Sequence, residues 1–174
     1  MAEMLRVDEA LDHLDLAGHM LGAEFGCGNA MFTMALARRL NQGKVYAVDI
    51  QEEKLSALRG RMQVEKVRNV SLILCDLEKS KATGLAAGSL DVVLIPNMLF
   101  QSQNPHAILE EGIRVLKSGG QMLVIDWLKE GPFSPKQGMI APQTMKELAQ
   151  DTGLSFQKEF AAGDYHYALV FIKK

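Results

Sequence analysis

Met20-Leu-Gly-Ala-Glu-Phe25 runs straight into Gly26-Cys-Gly28-Asn-Ala30, and that junction decides the fold. A short apolar stretch followed by small residues reads as a strand that turns sharply into a helix, because small residues let the backbone reverse tightly and approach a ligand. Met31 to Leu40 supplies the helix. Arg38 and Arg39 fall in its last turn, where cations oppose the negative end of the dipole, and Gly43 lies just beyond. Lys44-Val-Tyr-Ala-Val-Asp49 is then a strand ending on an acid, and Leu55, Leu58 and Met62 recur at helical spacing within 51–63. Upstream, Leu5, Leu11, Leu14 and Leu16 among acids predict a short amphipathic helix over 5–16.

The second half repeats the scheme. Val70 to Cys75 is a strand that delivers Asp76, and Leu90-Asp-Val-Val-Leu-Ile95 is another, with the continuous branched run of a strand covered on both faces. Asn104-Pro105 caps a helix that continues to Leu116 and is stopped by Ser118-Gly-Gly120. Gln121 to Asp126 is the next strand. Gly131 to Pro142, rich in Gly, Pro and Ser, interrupts the rhythm before a helix over 143–151. Strands over 154–160 and 165–172 follow, joined by the hairpin-length connection Ala161-Ala-Gly-Asp164. Five βα units with short connections imply a doubly wound α/β fold, a mostly parallel sheet with helices on both faces. The closing hairpin must add one antiparallel strand. With no repeat or linker in view, residues 1–174 read as a single domain.

Composition narrows the class. The chain has 174 residues, 48% hydrophobic and 23% charged, which excludes disorder; a net charge of −2 gives no reason to expect a nucleic-acid partner. No apolar run approaches the ~18 residues of a membrane span, and the acidic start is unlike a signal peptide, so a cytoplasmic protein is expected. Two cysteines, Cys27 and Cys75, make neither a disulfide framework nor a four-cysteine zinc site, and the four histidines have no metal-ligand spacing.

Ligands of such sheets bind beyond the carboxyl ends of the strands. The first strand end offers the glycine turn, and Asp49, about 20 residues further on, can accept hydrogen bonds from a ribose diol. Asp76 can accept from an adenine amino group. A nicotinamide dinucleotide would want a third glycine three residues after Gly28, where Met31 stands, and its pyrophosphate would be repelled by Glu24. A sulfonium nucleoside with a free ammonium suits Glu24, which favours S-adenosylmethionine.

With these strand ends in order, the chain resembles the class I S-adenosylmethionine-dependent methyltransferases, and is most similar to the small, single-domain group related to quinone-biosynthesis methyltransferases. The resemblance runs from Glu24-Phe-Gly-Cys-Gly-Asn-Ala30 through Val48-Asp-Ile50, Cys75-Asp-Leu77 and Leu90-Asp-Val-Val-Leu-Ile95 to Leu116-Lys-Ser-Gly-Gly120. It implies a seven-stranded sheet of order 3-2-1-4-5-7-6 with strand seven antiparallel. It also implies a cofactor site in which Glu24, Gly26, Cys27 and Gly28 line the methionine end and Asn97 passes close to it. Asp49 would bind the ribose with Ile50 beside the adenine, and Asp76 with Leu77 would meet the adenine edge. Two departures stand out. Ala30 replaces the usual third glycine, and Ile95-Pro-Asn-Met-Leu-Phe100 lacks the Asn-Pro-Pro-aromatic tetrad of methyltransferases acting on base or amide nitrogens.

On the acceptor side, Phe100, Trp127 and Tyr165 are candidates to contact a substrate, and the segment 131–142 can fold over the edge as a lid. His166 and Asp126 are candidate bases. Each has a plainer reading: His166 as a hairpin residue, Asp126 as a cap on the following turn, and Trp127, Tyr165 and Tyr167 as packing. The ten methionines, Met31 and Met34 among them, read as core filling. The expected function is methyl transfer from S-adenosylmethionine to a small molecule. The alternatives are a non-catalytic S-adenosylmethionine-binding module completed by a protein partner, and a nicotinamide-dependent oxidoreductase. Homodimerisation through the edge strand or lid is a further way to complete the pocket.

Overall fold

The computed structural model describes residues 5–131 and 133–174. Residues 1–4, and Pro132 within the expected lid, lie outside the described residues. The elements follow in the order α1 (Val7–Asp12), β1 (Leu21–Phe25), α2 (Met31–Arg39), β2 (Lys44–Asp49), α3 (Glu52–Glu65), β3 (Val70–Leu74), β4 (Leu90–Pro96), α4 (Pro105–Val115), β5 (Leu116–Trp127), α5 (Pro142–Asp151), β6 (Leu154–Ala161) and β7 (His166–Lys173). A 3-10 turn over Leu99–Gln101 follows β4.

The strands form one sheet of order β3-β2-β1-β4-β5-β7-β6. β1 pairs in parallel with β2 and β4, β2 with β3, and β4 with β5, whereas β7 runs antiparallel to both β5 and β6. This is the expected topology. Alternating side chains divide the core into two layers. Val92, Leu94, Leu123 and Ile125 pack with α1, α2 and α3 on one face. Val93, Ile95, Met122 and Val124 pack with α4 and α5 on the other. None of the described helices is long and apolar enough to cross a membrane.

Two boundaries differ from the sequence reading. The first helix covers Val7–Asp12 rather than 5–16, because Leu14 and Leu16 pack from a turn and not from a helical face. Ser118-Gly-Gly120 does not separate helix from strand. α4 ends at Val115 and the chain enters β5 at once, with Leu116 opposite Leu90; the register then jumps so that Gln121 pairs with Val92, and the intervening residues form an irregularity inside the strand. Asn104 caps α4 as expected, its side chain accepting from the Ala107 amide at 3.2 Å.

Strand direction is what positions the site. The carboxyl ends of β1, β2, β3, β4 and β5 all meet one edge, and the antiparallel β7 begins there, with His166 paired to Trp127. The turn into β2 is tight. A Cβ on Gly43 would lie 1.9 Å from the Met20 carbonyl oxygen. Gly43→Ala is therefore expected to destabilise the protein by about 2–3 kcal/mol, seen as a lower urea midpoint with an unchanged m-value.

Candidate functional site

The glycine turn is held by the end of β2. The amides of Gly26 and Cys27 both donate to the Val48 carbonyl, at 2.8 and 3.0 Å. Gly26 has φ +74°, a conformation costly for a residue with a Cβ, and a Cβ there would also meet the Met98 sulfur at 2.9 Å. Asp49, 7% exposed, closes the turn. Its Oδ2 accepts from the Gly28 amide at 3.0 Å and its Oδ1 from the Gln51 amide at 2.9 Å. Oδ1 keeps a second lone pair for another donor. Cys27 Sγ lies 3.8 Å from the same Oδ2. Burial pushes this thiol up to about 12, so it stays protonated and is no nucleophile. Ala30 adopts φ +60° ahead of α2 and buries its methyl in the core. The chain thus tolerates a left-handed alanine where glycine is the easier residue.

Two clefts open along this edge and meet at Gly26 and Gln101. The first, about 250 Å³, has Asp49 and Ile50 on one side, Cys75, Asp76, Leu77 and Glu78 at its end, and Met98 and Ser102 on the other side. Ile50 is 63% exposed, an apolar side chain with no core partner of its own, while Leu77 is buried. Asp76 accepts from the Glu78 amide at 3.0 Å and lies 3.7 Å from Lys79 Nζ.

The second cleft, about 210 Å³, is lined by Glu24, the turn from Gly26 to Asn29, Met31, Phe32, Pro96 and Asn97. Glu24 is 2% exposed, with its carboxyl against the Thr33 hydroxyl. Burial raises it to about 8, the Thr33 hydrogen bond acting weakly in the other direction. Asn97 follows β4 in a left-handed conformation, φ +51°, with its amide on the Ile125 carbonyl at 2.8 Å. Its side-chain oxygen is buried and has no hydrogen-bond partner among the described residues. An acid kept neutral by burial and an orphaned carbonyl oxygen in one small cleft suit a ligand cation that donates hydrogen bonds.

The acceptor-side candidates divide. Asp126 is fully buried and accepts from the amides of Trp127 at 2.8 Å and Phe100 at 3.1 Å. Burial raises it to about 6. It fastens the β4 exit to the end of β5. Trp127 and His166 face each other, ring centroids 4.2 Å apart, and the Trp127 Nε1 donor is buried without a partner among the described residues. Asp126 and Tyr167 lie on the opposite face of the sheet, where the Tyr167 hydroxyl donates to the Ile140 carbonyl at 3.0 Å. Tyr165 precedes β7 and is half-buried against Gly131. Gly138 lies directly on the Phe100 carbonyl. The segment 133–141 thus crosses the carboxyl edge between β4 and β7.

Sequence reasoning overlooked several lining residues. Met31 is 40% exposed and lines the second cleft, whereas Met34 is core as expected. Met98, Gln101 and Ser102 left no signal beyond their place after β4. Glu78 sits two residues beyond Asp76, and that proximity was its only signal.

Stability should report on Glu24. An acid with a folded value of about 8 holds a proton that the unfolded chain releases near 4.5, so stability falls as pH rises between them. Asp126 contributes only up to about pH 6. Between pH 6 and 8, chemical denaturation is expected to show the parent losing stability relative to Glu24→Gln.

Residues 22–166 match the family model described as a methyltransferase domain. The chain is 33% identical over 118 residues to the ubiquinone/menaquinone biosynthesis C-methyltransferase of Hydrogenovibrio crunogenus, covering 67% of this chain and 42% of that protein. It is 31% identical over 126 residues to a ubiquinone biosynthesis O-methyltransferase of Xanthomonas oryzae, covering 69% and 48%. The chain therefore spans somewhat under half the length of these relatives. In fold it superposes on an S-adenosylmethionine-dependent methyltransferase from Aquifex aeolicus with TM-score 0.87 at 21% identity, over 98% of this chain and 90% of that one. The chain thus belongs to the methyltransferase-domain family, with sequence likeness to quinone-biosynthesis methyltransferases and the fold of an S-adenosylmethionine-dependent one.

Proposed function

We propose that this single domain transfers the methyl group of S-adenosylmethionine to a small organic acceptor by in-line displacement at the carboxyl edge of the sheet. The observation that carries the reading is the pair of clefts joined at Gly26, acid-lined at one end and amine-seeking at the other. The residues fit the cofactor. Asp49 Oδ1 has a lone pair left for a ribose hydroxyl, and Asp76 with buried Leu77 suits an adenine edge. Exposed Ile50 supplies an apolar surface for the ring, and Glu24 with the orphaned Asn97 oxygen suits the ammonium. When bound, S-adenosylmethionine supplies a methyl group activated by a sulfonium centre.

The rest falls to the chain. The β4 exit, held by Asp126 through the Phe100 amide, fixes one wall of the reaction site. Positioning of this kind is a large part of what an in-line transfer needs. Both Asp126 oxygens already serve backbone amides, so a base drawn from this carboxylate would have to loosen that wall. Two relatives named for ubiquinone-pathway C- and O-methylation favour a flat, oxygen-bearing acceptor.

Calorimetry should show one-to-one binding of S-adenosylmethionine and S-adenosylhomocysteine and none of NADH. Because Glu24 is protonated below about pH 8, binding of the ammonium at pH 7 is expected to release close to one proton, measured in buffers of different ionisation enthalpy and lost in Glu24→Gln. Asp49→Ala is expected to weaken both adenosyl ligands by about 100-fold, since it removes the charged ribose acceptor and frees the Gly28 amide. Incubation with phenols, enols and amines is expected to yield S-adenosylhomocysteine with the oxygenated rings first. Tight cofactor binding without turnover on any of them would instead support a binding module completed by a partner, and binding of NADH alone would overturn the reading.

A further inference from the structure

The two walls at the outer end of the first cleft come from distant parts of the chain, the loop after β3 and the loop after β4. One side chain joins them. Glu78 Oε1 accepts from the Ser102 hydroxyl at 2.6 Å and from the Gln103 amide at 2.9 Å. These hydrogen bonds, Ser102 first, hold the Glu78 carboxyl below its ordinary range, so it is an anion throughout the neutral region. Charged acceptors make stronger hydrogen bonds than neutral ones.

Both ends of this contact are anchored on α4. Ser102 Oγ also accepts from the Asn104 amide at 3.0 Å, and Asn104 caps the helix. Seven residues further along α4, buried Glu111 accepts from the Thr83 amide at 3.1 Å and from the Arg114 guanidinium at 2.7 and 2.8 Å. Arg114 in turn donates to the Leu85 carbonyl at 2.8 Å. One helix therefore fixes both loops, and the Glu78 carboxylate is the contact that joins them across the cleft mouth.

We propose that Glu78 is a positioning residue for the cofactor: by tying the β3 loop to the β4 loop through Ser102 and Gln103, it sets the width of the adenine end of the cleft and so the selection of the purine. The inference rests on the reading of that cleft as the adenosyl site. Glu78 acts through the walls, and Asp76 and Leu77 remain the groups that face the base.

The test uses the whole protein and S-adenosylhomocysteine as the probe. Glu78→Ala is expected to weaken its binding about tenfold, while Glu78→Gln, whose amide oxygen can still accept from both partners, recovers most of the loss. Ser102→Ala should weaken binding less, and adding it to Glu78→Ala should cost little more, since the two changes break one contact. The readout that a purely structural role would not move is selectivity. The parent should prefer S-adenosylhomocysteine strongly over its N6-benzyl derivative, and Glu78→Ala should narrow that preference several-fold. A folded Glu78→Ala protein with parental affinity and parental selectivity overturns the proposal. Failure of the parent itself to bind S-adenosylhomocysteine overturns the adenosyl-site reading together with it.

Discussion

The carboxylate of Asp49 accepts the Gly28 amide on one oxygen and the Gln51 amide on the other. That single side chain ties the glycine turn to the start of α3, and the arrangement of the carboxyl edge depends on it. A turn in which Gly26, Gly28 and Ala30 all take positive φ has little intrinsic preference for one shape. An outside acceptor is what selects it. The Val48 carbonyl completes the hold by taking the Gly26 and Cys27 amides, so β2 shapes the exit of β1. The same residues that make the turn rigid leave the cleft polar on one side and apolar at Ile50.

Much of this was legible because it is local. Glycine spacing, the acid at the end of each of the first three strands, and the branched run of β4 are periodic or positional signals that survive without tertiary context. The closing hairpin, read with the family resemblance, gave the order 3-2-1-4-5-7-6 before any coordinates. What escaped has a common physical origin. Glu78 and Ser102 are 24 positions apart and meet only because two loops converge on one helix. The irregularity over 117–120 reads as a stop in sequence, since nothing there announces that Leu116 already pairs with Leu90. Met31 looks like a core residue by type, and its exposure follows from its place at the open end of α2.

The buried acids show how one chemical group takes different tasks by environment. Glu24 and Asp126 are both desolvated and both raised. Asp126 spends its oxygens on two backbone amides and braces a wall. Glu24 meets the hydroxyl and the backbone amide of Thr33 and faces a cleft. Glu111, equally buried, is held low by its Arg114 and Thr83 partners and serves as an anchor. The number and kind of donors around each carboxylate, together with its depth, separate the three.

The position of β7 has a consequence for how the protein is made. It is the last strand in the chain, yet it lies between β5 and β6. As the polypeptide leaves the ribosome, β6 has no neighbour to pair with and the flank of β5 stays open until β7 has emerged. The part of the edge where His166 meets Trp127 consequently assembles after the glycine turn. A nascent chain can complete its glycine turn early, but it exposes an unpaired sheet edge until β7 has emerged, the interval in which a chaperone or premature association would act on it.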